Sequence, residues 1–367
     1  MGKNDAKIKE LEERISSTKY NKKTQAAIGQ YKAQIAKLKE VNEARRSVGK
    51  GGGVGAGWEV RKTGDGTVIL IGFPSAGKST LLNALTDADS EIGSYAFTTL
   101  TCIPGVMQHK HAKIQILDVP GIVKGAASGK GRGKEVLASM RSADFCLILL
   151  DATRPEEHKV IVKEIYETNI RVNQIRPDVK IVRTGKDGIR MGSTVKLTHL
   201  NEETIKGILK TFRINNADVV LRENITDDQL IDCIEDNKKY MVGITVVNKC
   251  DLVSPTELKK VMKKYKADIA ISAVEKINIE ELKELIFQKL DLIRIYLKEP
   301  TKEADMKIPL IVFRNCTIKD VCLKLHKDFV SKFKFARTWG LGAKFDGQKV
   351  MLKHKLKDQD VLELHLR

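Results

Sequence analysis

Hydrophobic positions recur along this chain with two different periods, and the change of period divides it. In the first fifty residues they stand at Ile8, Leu11 and Ile15, then at Ile28, Tyr31, Ile35 and Leu38. Steps of three and four are helical, and the polar run 16–23 interrupts them, so two amphipathic helices folded as a hairpin are predicted. A single coiled-coil strand is the alternative, because a hairpin this short needs something to pack on. The stretch 49–57 holds six glycines, too many for the interior of an element, and marks a boundary. From Trp58 onward short apolar runs at 68–71, 113–117, 145–150, 241–247 and 268–274 alternate with helical stretches. That is the pattern of an α/β domain with buried parallel strands.

Between residues 151 and 248 lies more chain than one helix and one strand need. Apolar runs at 179–182 and 194–197 and helical stretches near 202–212 and 227–237 predict an inserted α/β subdomain at 168–240 rather than a loop. A helix over 279–292 closes the α/β part. Beyond Pro300 and Pro309 come a strand at Leu310–Phe313, a helix near 318–329, an extended stretch at 349–356, a turn at 358–360 and a strand at Val361–Leu366. A short mixed sheet around one helix, ubiquitin-like in pattern, is expected. The predicted division is a hairpin at 1–48, a linker at 49–61, an α/β domain at 62–293 carrying the insertion, and a small β-grasp domain at 294–367.

Composition narrows the class. At 42% hydrophobic and 31% charged residues this is an ordinary folded chain, and its longest apolar run, near 146–150, is far too short to span a bilayer. No secretory signal is expected from the charged first residues. Six scattered cysteines with no CxxC pair argue for a reducing compartment, with the cytoplasm as the expectation. The net charge of +18 is concentrated at the ends: residues 1–50 hold 13 Lys/Arg against 6 Asp/Glu, and residues 294–367 hold 17 against 9. Basic ends around a nearly neutral centre suit a phosphate backbone, RNA above all.

The candidate chemistry begins at Gly72-Phe-Pro-Ser-Ala-Gly-Lys-Ser79, set between an apolar strand and the helical Thr80–Leu85. Strand, glycine-bounded loop and helix in this order form a phosphate-binding P-loop. Phe73, Pro74, Ser75, Ala76 and Gly77 would line the phosphates, Lys78 would reach the β- and γ-phosphates, and Ser79, followed by Thr80, would place a hydroxyl on Mg²⁺. Downstream, a Thr in Phe97-Thr-Thr-Leu100 can close over Mg²⁺. Asp118 of Asp-Val-Pro-Gly121 can hold the metal, and the Gly121 amide can sense the γ-phosphate. Asn248-Lys-Cys-Asp251 then selects the base. Asp251 can accept from N1–H and the exocyclic amine of guanine, Lys249 can lie along the base, and Asn248 can tie this loop to the P-loop. A site built for those donors rejects adenine by roughly 10⁴-fold. The amides of Ser272-Ala273-Val274 can meet guanine O6. In this order the signals point to GTP.

These motifs, with Arg132-Gly-Lys134, 214–218, 292–296 and 358–361, resemble the developmentally regulated GTP-binding (DRG) proteins, a branch of the Obg-related GTPases. The resemblance implies an N-terminal helical hairpin and a G domain interrupted by an S5-domain-2-like insertion. It also implies a C-terminal TGS domain and association with translating ribosomes. A zinc-finger DRG family regulatory protein is the implied partner, with the free protein a monomer or a heterodimer with it. It selects Thr99 over Thr98 as the switch threonine. Ile122 stands where Ras-type GTPases carry a water-orienting Gln, so slow intrinsic hydrolysis is expected, supported by Lys78, Thr99 and Gly121. Relatives that use K⁺ carry Asn where this chain has Ser75, and Arg132 or Lys134 is the other candidate source of charge.

Overall fold

The computed structural model describes residues 3–19, 21, 24–48, 64–86, 103–118 and 142–367. In chain order it begins with helices α1 (Lys3–Ser17) and α2 (Gln25–Val48). They run antiparallel: Asn42, late in α2, donates to Asp5 and accepts from Asn4 at the start of α1. The next elements are β1 (Gly66–Gly72), α3 (Lys78–Leu85), β2 (Ile103–His109), β3 (Ala112–Asp118), β4 (Phe145–Asp151), α4 (Glu157–Glu167) and β5 (Ile170–Val172). An inserted segment then supplies β6 (Val179–Arg183), β7 (Ile189–Ser193), α5 (Glu202–Thr211), β8 (Ala217–Leu221) and α6 (Asp227–Glu235). The chain returns with β9 (Lys239–Asn248), α7 (Pro255–Tyr265), β10 (Ile269–Ala270) and α8 (Ile279–Lys289). It ends with β11 (Leu292–Lys298), β12 (Leu310–Phe313), α9 (Ile318–Leu325), α10 (Phe329–Lys332), β13 (Phe333–Trp339), β14 (Gln348–Val350) and β15 (Val361–Leu366). None of the described helices is long and apolar enough to cross a membrane.

Two compact units result. The first joins the N-terminal segment to residues 174–240. In the insertion β8 is central, antiparallel to β6 and parallel to β7. Ile205, Ile208 and Leu209 of α5 and Leu230 of α6 cover its apolar face, and Ala33 of α2 enters the same core. The helices cross closely at glycines. A Cβ on Gly29 would lie 3.1 Å from Thr204, and one on Gly207 would lie 2.5 Å from Gln30. Lys32 bridges Asp227 at 3.1 Å and Asp228 at 2.8 Å, Gln25 donates to His199 O, and Lys37 donates to Thr211 O. The hairpin thus finds its packing partner in a segment some two hundred residues away in sequence.

Residues 170–172 remain with the larger sheet, where β5 pairs β9. The insertion therefore starts at 174 rather than 168. Within it, 189–193 and 217–221 form strands whereas 194–197 does not: the chain turns after β7, where the Ser193 hydroxyl donates to Val195 O.

The second unit holds the α/β sheet and the C-terminal domain. The sheet order is β10-β9-β4-β1-β3-β2, parallel except that β2 runs against β3. Val68, Leu70, Phe145, Leu147, Ile244 and Val246 pack one face against α3 and α8. Ile69, Ile71, Cys146, Ile148 and Val247 pack the other against α4 and α7. Two covered faces are why these strands read as unbroken apolar runs.

The C-terminal sheet is ordered β12-β11-β15-β13-β14, with β11 and β15 parallel and the other pairs antiparallel. Ile293, Ile295, Ala336 and Leu362 pack its inner face on Ile318, Val321 and Cys322 of α9. Leu292 starts a strand instead of ending the preceding helix. The expected 318–329 helix breaks at His326, and of the 349–356 stretch only Lys349 and Val350 lie in a strand, with Lys355 in an isolated bridge to Thr317. Phe333–Trp339 is a strand that the sequence pattern conceals, since Lys334 and Arg337 occupy exposed positions among its apolar residues.

Candidate functional site

Three parallel strands end side by side. Register aligns Gly72 of β1 with Leu149 of β4, and Asp151 of β4 with Asn248 of β9. On the other flank of β1, Asp118 closes β3. Such carboxyl ends form the binding edge of an open α/β sheet. At residue 72 a Cβ would sit 2.7 Å from Leu149 O, so the close approach of β1 and β4 requires glycine. The chain then makes a single 3-10 turn at Pro74–Ala76, passes Gly77 at φ +86°, and enters α3 at Lys78. Pro74, Ser75, Ser79 and Thr80 are exposed along this turn, and Ala76 and Lys78 are buried.

Lys78 Nζ donates to Phe73 O at 3.1 Å, folding back across the loop. Burial lowers its pKa, and the nearby Asp118 carboxylate works against that. Asp118 shows the mirror effect: burial raises its pKa, opposed by Lys78 and by a hydrogen bond from Ser79. Its Oδ1 is buried with no hydrogen-bond partner among the described residues. A carboxylate oxygen of unmet valence beside a hydroxyl is a donor set suited to a hard divalent cation.

Asn248 joins the phosphate and base sides. Its Nδ2 donates to Ala76 O at 2.8 Å, and its Oδ1 accepts from Ala273 N at 3.0 Å. A Cβ on Gly77 would approach Asn248 Nδ2 to 2.6 Å, so Gly77 serves both the left-handed turn and this bridge. Lys249, itself at φ +62°, extends back over the P-loop. Its Nζ donates to Ser75 O at 2.9 Å and to Asp151 Oδ2 at 2.6 Å. Asp151 also accepts from the amide and hydroxyl of Thr153. Burial raises the Asp151 pKa, but these hydrogen bonds and the Lys249 charge prevail and hold it below the usual range.

Asp251 is exposed in the 3-10 turn Cys250–Leu252, which hangs from the sheet through Cys250 N to Ile271 O. The Ser272 amide donates to Ile277 O and the Ala273 amide to Asn248 Oδ1. These bonds set the loop that holds the three amides expected at guanine O6 beside the Asn248 side chain. Val274, the third residue of that loop, is 72% exposed. Thr99, Gly121, Ile122, Arg132 and Lys134 lie outside the described residues. Asp151, directly after the apolar run 145–150, is the site residue that sequence reasoning does not single out. An acid closing a buried strand next to the one that delivers Asn248-Lys249 was the available signal.

A profile described as 50S ribosome-binding GTPase matches residues 67–183, one for the C-terminal region of that domain matches 186–292, and a TGS domain profile matches 293–366. A GTP-binding protein of Methanocaldococcus jannaschii is 49% identical over 99% of this chain and 93% of its own length. Developmentally-regulated G-protein 3 of Arabidopsis thaliana is 44% identical over 98% of this chain and 97% of its own. The chain belongs to the developmentally regulated GTP-binding protein family. This DRG protein is accordingly a P-loop GTPase with N-terminal helices and a C-terminal TGS domain. Ribosome-interacting GTPase 1 of Saccharomyces cerevisiae is a further relative, 41% identical over 98% of both chains. In the DRG protein the TGS segment begins with β11, directly after α8 of the G domain.

Proposed function

We propose that this GTPase is a slowly cycling switch that acts at the ribosome in the cytoplasm. The observation that carries the nucleotide part is the Asn248 bridge. One side chain fixes the phosphate loop to the loops that flank the base, so base and phosphates are read by one rigid edge. GTP is held by residues 73–80, with Lys78 on the terminal phosphates, Asp251 and Lys249 at guanine, and the Ser272–Val274 loop supplying the amide for O6. Ser79 and Asp118 hold Mg²⁺, with Thr99 joining them, and the unpartnered Asp118 Oδ1 supports that assignment. Bound there, Mg²⁺ neutralises charge on the phosphate oxygens. Lys78 and the Gly121 amide supply the remaining stabilisation.

The ribosomal part is supported by the yeast relative's name and by the basic ends of the chain, which suit rRNA phosphates. With Ile122 in place of a water-orienting Gln, turnover is slow until a partner acts, for which a zinc-finger DRG regulatory protein is the candidate, forming a heterodimer. Sedimentation with ribosomes in a non-hydrolysable GTP analogue and in GDP tests the switch. Enrichment with the analogue is expected; equal sedimentation would sink it in favour of an RNA-binding module that uses GTP structurally. K⁺ stimulation is the finer proposal, and equal turnover in KCl and NaCl would eliminate it.

A further inference from the structure

Helix α7 begins just beyond the loop that carries Asp251: only Val253 and Ser254 separate it from the 3-10 turn Cys250–Leu252. Its two halves differ in kind. Leu258, Val261, Met262 and Tyr265 turn inward onto the core of the G domain, and the Tyr265 ring meets His158 of α4 with centroids 5.1 Å apart. The outward half is lysine. Lys259, Lys260, Lys263 and Lys264 are all exposed, and Lys266 follows at the C-cap. Residues 255–266 hold five lysines against the single acid Glu257, so the nearly neutral centre of the chain conceals a surface denser in charge than either end. Positions 259 and 263 stand one turn apart, as do 260 and 264. The charges thus form two parallel rows, with about 6 Å between successive lysines of a row.

Like charges four residues apart repel and weaken a helix. Among the described residues none of these five lysines pairs with a carboxylate, whereas Lys110, Lys206, Lys283 and Lys302 each do. The neighbouring acids are committed elsewhere. Glu257 accepts from the Ser254 amide at 3.1 Å and the Ser254 hydroxyl at 2.7 Å, and Asp268 accepts from the Thr245 amide at 2.9 Å. The Ser254–Glu257 capping box and the buried half of the helix hold α7 together in spite of the repulsion. Uncompensated charge kept in register on a packed helix is a surface for an external polyanion.

We propose that the lysine face of α7 docks on the phosphate backbone of double-helical RNA, which gives the G domain its own contact with ribosomal RNA beside the guanine loop. The inference rests on the reading above that the protein works at the ribosome, and it names a surface apart from the basic ends. The make-up of the face selects the partner. A protein partner needs an apolar centre to its interface, where lysine is depleted; the apolar residues of α7 face the core instead. A lipid surface takes up a helix by its apolar side, which α7 keeps inside. Single-stranded RNA is held by bases stacking on exposed rings, and the one ring of α7, Tyr265, is only 8% exposed. What α7 offers is dense, regular charge, and a duplex presents the denser array of phosphates. Lysine acts there as a point charge and reads no sequence.

Fluorescence anisotropy of the full-length protein with a labelled 16-base-pair RNA duplex tests this. Each phosphate contact on a duplex adds about 0.9 to the slope of log K against log salt. Lys259→Gln, Lys260→Gln, Lys263→Gln and Lys264→Gln combined should therefore lower that slope by about 3 and weaken binding at least tenfold at about 0.1 M salt. Arg at the same four positions keeps the charge and should bind within twofold of wild type. GTP affinity should be unchanged in both variants, and Gln and Arg match Lys as helix formers. Lys259→Gln with Lys263→Gln removes one row. It should take about half of the slope change, and it keeps the test open if the fourfold variant fails to fold. The inference is overturned if the fourfold Gln variant binds the duplex within twofold of wild type with an unchanged slope, or if a single strand of equal length binds wild type as tightly as the duplex. It is also overturned, in favour of an acidic protein partner, if the Gln variant loses affinity for labelled polyglutamate but not for the duplex. Lysine-dependent duplex binding by a protein that does not sediment with ribosomes would remove the ribosomal reading and leave this one standing. Ribosome sedimentation together with duplex binding that ignores the four lysines would do the reverse.

Discussion

Replacing Asp151 with Asn removes one charge and leaves the shape of the site intact. The carboxylate side chain is 3% exposed and meets Lys249 Nζ at 2.6 Å, while the Lys249 side chain is 31% exposed. A hydrogen bond between charged groups contributes about 1.5–3 kcal/mol. Lys249 retains Ser75 O and some solvent after the change, so the loss falls at the lower end, about 1–2 kcal/mol. If that energy holds Lys249 along the base plane, GTP affinity falls about tenfold, because 1.4 kcal/mol is one decade. Titration with a fluorescent GTP analogue reads this directly. A double-mutant cycle with Lys249→Ala supplies the decisive control, since coupled residues are non-additive. Asp151→Asn should cost almost nothing once Lys249 is absent. GTP affinity within twofold of wild type in Asp151→Asn, or additive losses in the cycle, would refute the reasoning. The sign with pH follows from the depressed pKa. The ion pair's contribution is complete above the ordinary Asp value near pH 4 and is lost as pH falls through the lower folded value.

Asp251→Asn should lower GTP affinity by about three orders of magnitude and favour xanthosine triphosphate, whose C2 carbonyl accepts from an amide; competition binding measures both. Gly77→Ala forces a Cβ onto a φ of +86° and to within 2.6 Å of Asn248 Nδ2. It should destabilise the G domain by about 1–3 kcal/mol and weaken GTP binding, as seen by thermal melts with and without nucleotide. Gly29→Val crowds Thr204 and Ile208 and should raise hydrogen-exchange rates in α2 and α5 while GTP affinity stays within twofold of wild type. Glu284, pulled down to about 2 by hydrogen bonds from His109, Lys110 and Gln288, should lose its contribution as pH falls from its ordinary value toward that point. Glu284→Gln should therefore flatten the acid limb of a stability-versus-pH curve.

The α/β core was legible because both faces of its strands are covered, so burial alone writes each strand as an apolar run. The P-loop and the Asn248–Asp251 motif were legible because phosphate and guanine each demand particular residues at fixed spacing, whatever the surrounding sequence. Strands β7 and β13 were not: β7 offers only Ile189 and Met191 as apolar positions, and in β13 a register shift between Phe333 and Phe335 puts Lys334 out of step with the alternation. The hydrogen bonds that fix the Ser272 and Ala273 amides were not legible for a related reason. A sequence shows which amides a loop contains, whereas their hydrogen-bond partners depend on which side chains fold beside them.

The sequence by itself determined the ligand class, the alternating elements of the α/β core and the basic ends, because these depend on residue type and local spacing. Tertiary structure decided what lies beside what. It put Asp151 under Lys249, and it set Asn248 between Ala76 and Ala273. It packed the N-terminal hairpin on the 174–240 insertion, and it brought His158 of α4 against Tyr265 of α7. Each of those contacts joins residues that local periodicity cannot relate, since the register of a sheet and the crossing of two helices are fixed only when the whole core is packed.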